Sequence, residues 1–280
     1  MRAIELAVTG GLALALAVGG AAARAPAQRI VSLNPSLTAI LLALGAGERL
    51  VGVDDRSARE DARVFGLPRV GGLFDPSLEA VVALAPDLVV AVPSAQQRDL
   101  RAQMETLGIE VLELPNVTLD ELLDSIDVLG GLVGRREAAR ERIDAIRAAF
   151  AQAARASAGR ELPRAILALQ RDPLYVVGAG SFLDSMLRAA GAVNAGAELG
   201  GPYPRAGLEW LIAASPDVIL DASGDPEQAL AYWSRWPSLP AVASGRVVAV
   251  PPAEVTLPGP YLERGLERLA EALRGGGDRR

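Results

Sequence analysis

Short, uninterrupted apolar runs alternate along this chain with longer stretches in which apolar residues recur every three or four positions. RIVSL (29–33), RLVGV (49–53), DLVVA (87–91) and IEVLEL (109–114) have the length and β-rich composition of strands covered on both faces. Between them, helices are expected from Pro35 to about Leu44, where Gly45 and Gly47 end it, from Leu78 to Ala85, and from about Ala95 to Leu107, stopped at Gly108. Residues 59–67 show no clear period. A second series starts after Pro163. RAILALQ (164–170) and LYVVG (174–178) are joined by a tight turn at Arg171-Asp172-Pro173, and Ser181, with Asp184 three residues on, caps a helix to about Ala190. DVILD (217–221), a helix near 226–233, RVVAV (246–250), a Pro-rich loop (251–260) and a final helix from Tyr261 to Leu273 complete it. Strands alternating with helices argue for parallel α/β sheets.

One unit is written twice. Ser77–Ala91 and Gly207–Asp221 align without a gap and share Leu78/Leu208, Glu79/Glu209, Ala83/Ala213, Pro86/Pro216 and Asp87/Asp217. Each copy reads as helix, turn, strand. Leu78, Val81, Val82 and Ala85, like Leu208, Leu211, Ile212 and Ser215, fall at i, i+3, i+4 and i+7, which predicts a buried stripe closed by the proline. Glu79 and Glu209 lie off that stripe, in the first turn, where the helix dipole favours an acid by about 0.3–1 kcal/mol without any partner.

Between the two series the pattern is wholly helical. Thr118-Leu-Asp-Glu121 is a capping box that starts a helix running to about Val133, and Gly134 interrupts it. A second helix over 135–158 carries Ile143, Ile146 and Phe150 on one face and charge around the rest. At about 1.5 Å per residue it spans roughly 33 Å. The expected fold is α/β, two Rossmann-like lobes with parallel sheets joined by one long bridging helix. The divisions are a signal peptide (1–27), an N-terminal α/β lobe (28–134), the bridging helix (135–158), a C-terminal α/β lobe (159–275) and a frayed tail (276–280).

Composition narrows the chemistry. At 280 residues, 50% hydrophobic and 22% charged, the chain has ample core for two lobes. A net charge of −6 without any basic run argues against nucleic acid as a partner. There is no His and no Cys, so a Ser-His-Asp triad, a Cys-His pair, a histidine or thiolate zinc site and a His-ligated haem are excluded; any metal chemistry must rest on Asp, Glu, Tyr or backbone oxygens or travel inside a ligand, and no metal-ligating residues are expected. Arg2, an apolar run from Leu6 to Val18 and small residues through Ala23, Ala25 and Ala27 have the order of a secretory signal, with cleavage expected after Ala23 or Ala27. The competing expectation is an uncleaved anchor.

The segments IVSLNPSLTAILLALGAG, LPRVGGLFDPSLEAVVALAPDLVVA, GAGSFLDSMLRAAGAVN, YPRAGLEWLIAASPDVIL and LPAVASGRVVAVP resemble, in that order, the periplasmic substrate-binding proteins of ABC importers for cobalamin and related metal complexes. The resemblance covers about residues 29–273 and implies a periplasmic, non-enzymatic protein. It would act as a monomer that captures cobalamin or another corrinoid between its lobes and delivers it to a permease in the inner membrane. The cobalt would be carried by the ligand, with no cofactor of the protein's own. In such importers one acid on each lobe meets arginines of the permease, and Glu79 and Glu209 match those positions.

The ligand is expected outside the C-terminal ends of the strands. That selects Ser32, Asp54, Asp55, Leu73, Phe74 and Pro93 from the first lobe, and Ser181, Tyr203 and Glu254 from the second. Tyr203, six residues before Glu209, matches the place where cobalamin-binding relatives set an aromatic against the corrin face. Phe74, or Leu73 beside it, is its first-lobe counterpart. Two positions depart from the family: Ala39 stands where relatives commonly have Glu, and Leu73 is not aromatic. An iron–siderophore complex, with Arg56, Arg98 and Arg205 near the cleft, or a haem ligated by Tyr203, stays open. A sensor domain and an enzyme are further readings. The enzyme would have to use Ser32, Ser181 or the Asp54-Asp55 pair without a near-neutral base.

Overall fold

The computed structural model describes residues 25–275. Most of the expected signal peptide and the expected tail at 276–280 lie outside them. Ala27, however, is buried, its N–H donates to the Leu132 carbonyl at 2.9 Å, and its own carbonyl accepts from Arg49 at 3.0 Å. A cut after Ala27 would remove a packed residue from the fold.

The first sheet is built from β1 (Ile30–Ser32), α1 (Pro35–Ala43), β2 (Leu50–Val53), α2 (Ser57–Glu60), α3 (Leu78–Ala83), β3 (Leu88–Ala91), α4 (Arg98–Thr106) and β4 (Val111–Glu113). Its four strands are parallel in the order β2-β1-β3-β4. The chain leaves β1 toward one side and returns on the other, so β1 is the switch point where a crevice opens at the strand ends. The segment without a clear period holds α2 and a 3₁₀ turn at Ala62–Val64.

Two helices then lead away, α5 (Leu119–Leu132), with the expected Thr118/Glu121 capping box, and α6 (Arg136–Ser157), the long bridging helix of 22 residues. Gly134, at φ +65, makes the turn between them. The second sheet follows with β5 (Arg164–Arg171), β6 (Leu174–Val176), α7 (Phe182–Ala189), β7 (Val193–Asn194), α8 (Leu208–Ala214), β8 (Val218–Asp221), α9 (Pro226–Trp233), α10 (Pro240–Ala243), β9 (Val247–Ala249), α11 (Pro252–Val255) and α12 (Leu262–Gly275). Its order is β6-β5-β8-β9. β5 is long enough for one edge to take the parallel β7 at its start and the antiparallel β6 at its end. This sheet is therefore mixed at that edge and parallel elsewhere. The hairpin turn forces it.

Two expectations change. The stripe of the repeated helix is narrower than its spacing suggests: Val81, Leu211 and Ala214 are buried, while Val82, Ala85, Leu208, Ile212 and Ser215 are exposed. Nor does the proline alone end each helix. Ala85 and Ser215 both take a left-handed conformation, φ 44, just before it.

The Pro86-Asp87 and Pro216-Asp217 pairs have a shared structural task. The Asp87 carboxylate accepts the N–H groups of Gln28 and Arg29, at 2.8 and 3.1 Å, while the Arg29 side chain donates to the Leu84 and Ala85 carbonyls. Asp217 accepts the Arg164 N–H at 2.8 Å, and the Arg164 side chain reaches the Ala214 carbonyl. Each arginine thus caps the C-terminus of its lobe's repeated helix from the start of the neighbouring strand.

One hydrophobic core runs through both lobes, from Ile30 and Leu41 through Ile126 and Ile146 to Leu187 and Leu269. The bridge is therefore packed into both halves. Phe182 N–H donates to the Val117 carbonyl at 2.8 Å, Ser36 donates to the Pro258 carbonyl, and Arg142 on α6 holds the Pro260 carbonyl and Glu263.

Candidate functional site

At the C-terminal ends of β1 and β3, Leu33, Asn34, Leu73, Phe74, Val92, Pro93 and Gln97 enclose a cleft pocket of about 330 Å³. Three residues expected from the sequence, Leu73, Phe74 and Pro93, meet here. Asn34 caps α1 through Ser36 N–H, and the buried Gln97 donates to the Leu73 carbonyl, which fixes the loop that carries Phe74. Phe74 itself projects outward, 67% exposed. A solvent-facing Phe on a loop held from behind is an apolar contact surface in search of a partner.

Ser32 and Asp54 do not line this pocket. Both are fully buried behind it, in a chain of polar contacts. Asp54 accepts from Arg56 N–H and Ser57 N–H, each at 2.9 Å, and from the Ser57 hydroxyl; Thr38 lies 3.0 Å from Ser57 and donates to Ser32 at 2.8 Å. Burial raises the Asp54 carboxyl above its ordinary range, against the lowering effect of those hydrogen bonds. These groups hold the loop after β2 onto α1. Asp55 beside them is half-buried, with its N–H on the Gly71 carbonyl.

The second lobe presents Tyr203, 36% exposed, from the loop before α8. Its phenol is pushed up to about 12 by burial, partly offset by a hydrogen bond with Ser181. Ser181 is fully buried and caps α7 through Asp184 N–H at 3.0 Å, so it supports the tyrosine from behind and does not face the cleft. Gly178 is required here, because a Cβ would collide with the Gly201 carbonyl oxygen and Pro204. Glu254 is exposed on α11 and ion-paired with Arg268 at 2.8 Å.

The candidate arginines do not gather. Arg56 pairs with Glu60, Arg98 lines a separate pocket with Arg101 and Glu113, and Arg205 is exposed beside the Tyr175 strand edge. Among the described residues, no group of three or more His, Cys, Asp or Glu could hold a metal ion, and no helix is long and apolar enough to cross a membrane. Trp233 is buried, its indole N–H donating to Asp221 at 2.6 Å, which is packing and not cleft chemistry.

Two α/β lobes on one long helix, with a loop-lined cleft at the strand ends, define a binding protein of the rigid-bridge class. The chain belongs to the periplasmic binding protein family, which it matches over residues 30–254. It is 31% identical over 255 residues to the uncharacterized ABC transporter substrate-binding lipoprotein YvrC of Bacillus subtilis, covering 88% of this chain and 80% of the relative. It is 27% identical over 253 residues to the vitamin B12-binding protein of Vibrio cholerae, covering 89% and 90%. Among solved structures, the periplasmic vitamin B12-binding protein BtuF of Vibrio cholerae superposes with a TM-score of 0.77 at 26% identity, covering 91% of this chain and 99% of that one. The periplasmic heme-binding protein RhuT of Roseiflexus sp. RS-1, in apo form, gives 0.75 at 28%, covering 89% and 98%. The role that follows is that of the substrate-binding component of an ABC importer.

Proposed function

We propose that the ligand is cobalamin or another corrinoid, captured between the lobes by a monomer in the periplasm. Leu73 and Phe74 would meet one side, with Pro93 beside them, and Tyr203 the other. The observation that carries this reading is the pair of ring-bearing loops at equivalent places, each just ahead of a repeated helix, in a chain with only 4% aromatic residues. A flat macrocycle with its cobalt already coordinated needs apolar and aromatic walls and no protein ligand, which suits a cleft without His or Cys. Haem is the alternative, favoured by the Tyr203 oxygen at the cleft wall. Burial keeps the proton on that phenol and works against its use as an anionic ligand. After loading, Glu79 and Glu209, one exposed acid on each lobe, engage basic residues of the permease. The protein performs no catalysis of its own.

Calorimetry of the purified protein against cyanocobalamin, haemin and a ferric siderophore tests the ligand. Cyanocobalamin is expected to bind, Tyr203→Ala and Phe74→Ala each to weaken it about tenfold through lost stacking and apolar contact, and Tyr203→Phe to leave it nearly unchanged. Binding of haemin with none of cyanocobalamin overturns the reading.

A further inference from the structure

The two acid-bearing turns share more than a carboxylate. Val82 follows Glu79 by three residues and is 40% exposed; Ile212 follows Glu209 by three and is 52% exposed, with Leu208 beside it at 44%. Residues i and i+3 are neighbours on a helix face, so each lobe sets an apolar side chain next to its acid. None of the three belongs to any hydrophobic core cluster. Among the described residues, Glu79 and Glu209 form no ion pair.

Both turns also lie on the cleft side. Residues 69–77 pair with the end of β2 through Val53 and Arg69, while Arg29, at the start of β1, caps the far end of α3. α8 runs the same way, from the Tyr175–Arg205 bridge near the end of β5 to Arg164 at its start. A single exposed Val or Ile is ordinary on any surface. Two at the same position of a repeated unit, each beside an unpaired acid on the cleft rim, form a pair of matched knobs.

We propose that Val82 and Ile212 are the apolar half of a two-knob docking surface, entering apolar sockets beside the basic residues of an integral-membrane partner. This rests on the reading that Glu79 and Glu209 dock the permease. A second copy of this chain fits poorly, because it would bring carboxylate against carboxylate. A docking built of charge alone fades when salt screens it. One with an apolar half keeps part of its strength.

The test places the photocrosslinker p-benzoylphenylalanine in turn at positions 79, 82, 209 and 212 of the full chain, with position 140 on α6 as control, and irradiates it on membranes from its native host at low and high salt. Positions 82 and 212 are expected to capture the same polytopic membrane protein as 79 and 209, at sites beside its Arg or Lys residues, and position 140 is expected to capture nothing. Val82→Ser combined with Ile212→Ser is expected to lower capture from position 79 about tenfold at high salt, with unfolding and ligand binding unchanged. Capture from 79 and 209 but not from 82 and 212, or no loss in the Ser variant, overturns the proposal and leaves acid docking standing. Capture from none of the four overturns both, and crosslinking to a second copy of this chain overturns the choice of partner.

Discussion

When Asp54 is ionised, Ser57 donates to it, Thr38 donates to Ser32, and Ser32 donates to the Asn34 carbonyl, which leaves no proton between Thr38 and Ser57 at 3.0 Å. A proton on Asp54 completes a one-way chain, Asp54 to Ser57 to Thr38 to Ser32. Burial makes the folded state hold that proton more tightly than the unfolded chain does, so the carboxyl is raised above its ordinary 3.8 although the hydrogen bonds from Ser57 and the Arg56 N–H favour its charged form. The sign follows: this destabilising contribution is absent below about 3.8, and stability falls as pH rises through the folded value. Asp54→Asn, whose amide donates to Ser57 as the protonated acid would, is expected to flatten that slope and leave the protein at least as stable near neutral pH. Urea unfolding of both proteins across the acid range reads it out, and an unchanged slope would exclude Asp54 as its source. At this scale the sequence was partly misleading. Ser32, Asp54 and Ser181 fall at strand ends, where ligands bind, yet burial turns all three inward. Phe74 and Tyr203 stand out in the sequence because rings are scarce in this chain, and the structure leaves both exposed on loops ahead of the repeated helices. Gln97 does not stand out, because its task is to hold a backbone carbonyl.

The repeated helix and strand show the same division one level up. Spacing identified two equivalent elements, their acids in the first turn and their covered strands, because an internal copy doubles a weak pattern. It misjudged the buried face, since α3 and α8 are short and bury only Val81 in the one and Leu211 and Ala214 in the other. The left-handed residues at Ala85 and Ser215 carried no signal at all, neither being Gly or Asn. For a residue with a Cβ that conformation costs roughly 1–2 kcal/mol, and it persists here because an arginine and an aspartate fix the chain on either side. Ala85→Gly and Ser215→Gly are accordingly expected to stabilise the protein by about 0.5–1 kcal/mol each, the relief being reduced by the greater freedom of unfolded glycine. Chemical denaturation checks this; a loss of stability in both variants would mean that the side chains contribute packing that outweighs the strain.

For the whole molecule, the question is how far two lobes on a packed helix can move. α6 packs against α5, α7 and α12, so its residues belong to both halves of one core. The segment before α12 is tied from two sides, by Ser36 of α1 at the Pro258 carbonyl and by Arg142 of α6 at the Pro260 carbonyl, with the Arg142 guanidinium also 4.7 Å from the Tyr261 ring. A wide hinge would have to break these bonds and expose apolar surface between α5, α6 and α7. Ligand entry and release must then come from loop adjustment and small tilts of the lobes. X-ray scattering of the ligand-free protein and of the protein saturated with cyanocobalamin is expected to give nearly superimposable profiles. Ser36→Ala combined with Arg142→Ala, which frees the tied segment from the first lobe and from the bridging helix, is expected to expand the ligand-free form and to speed ligand dissociation several-fold, because the cleft walls would separate without first breaking a bond. Marked compaction of the unmodified protein on binding would contradict the rigid bridge, and an unaltered double variant would place the restraint in the apolar core of α6.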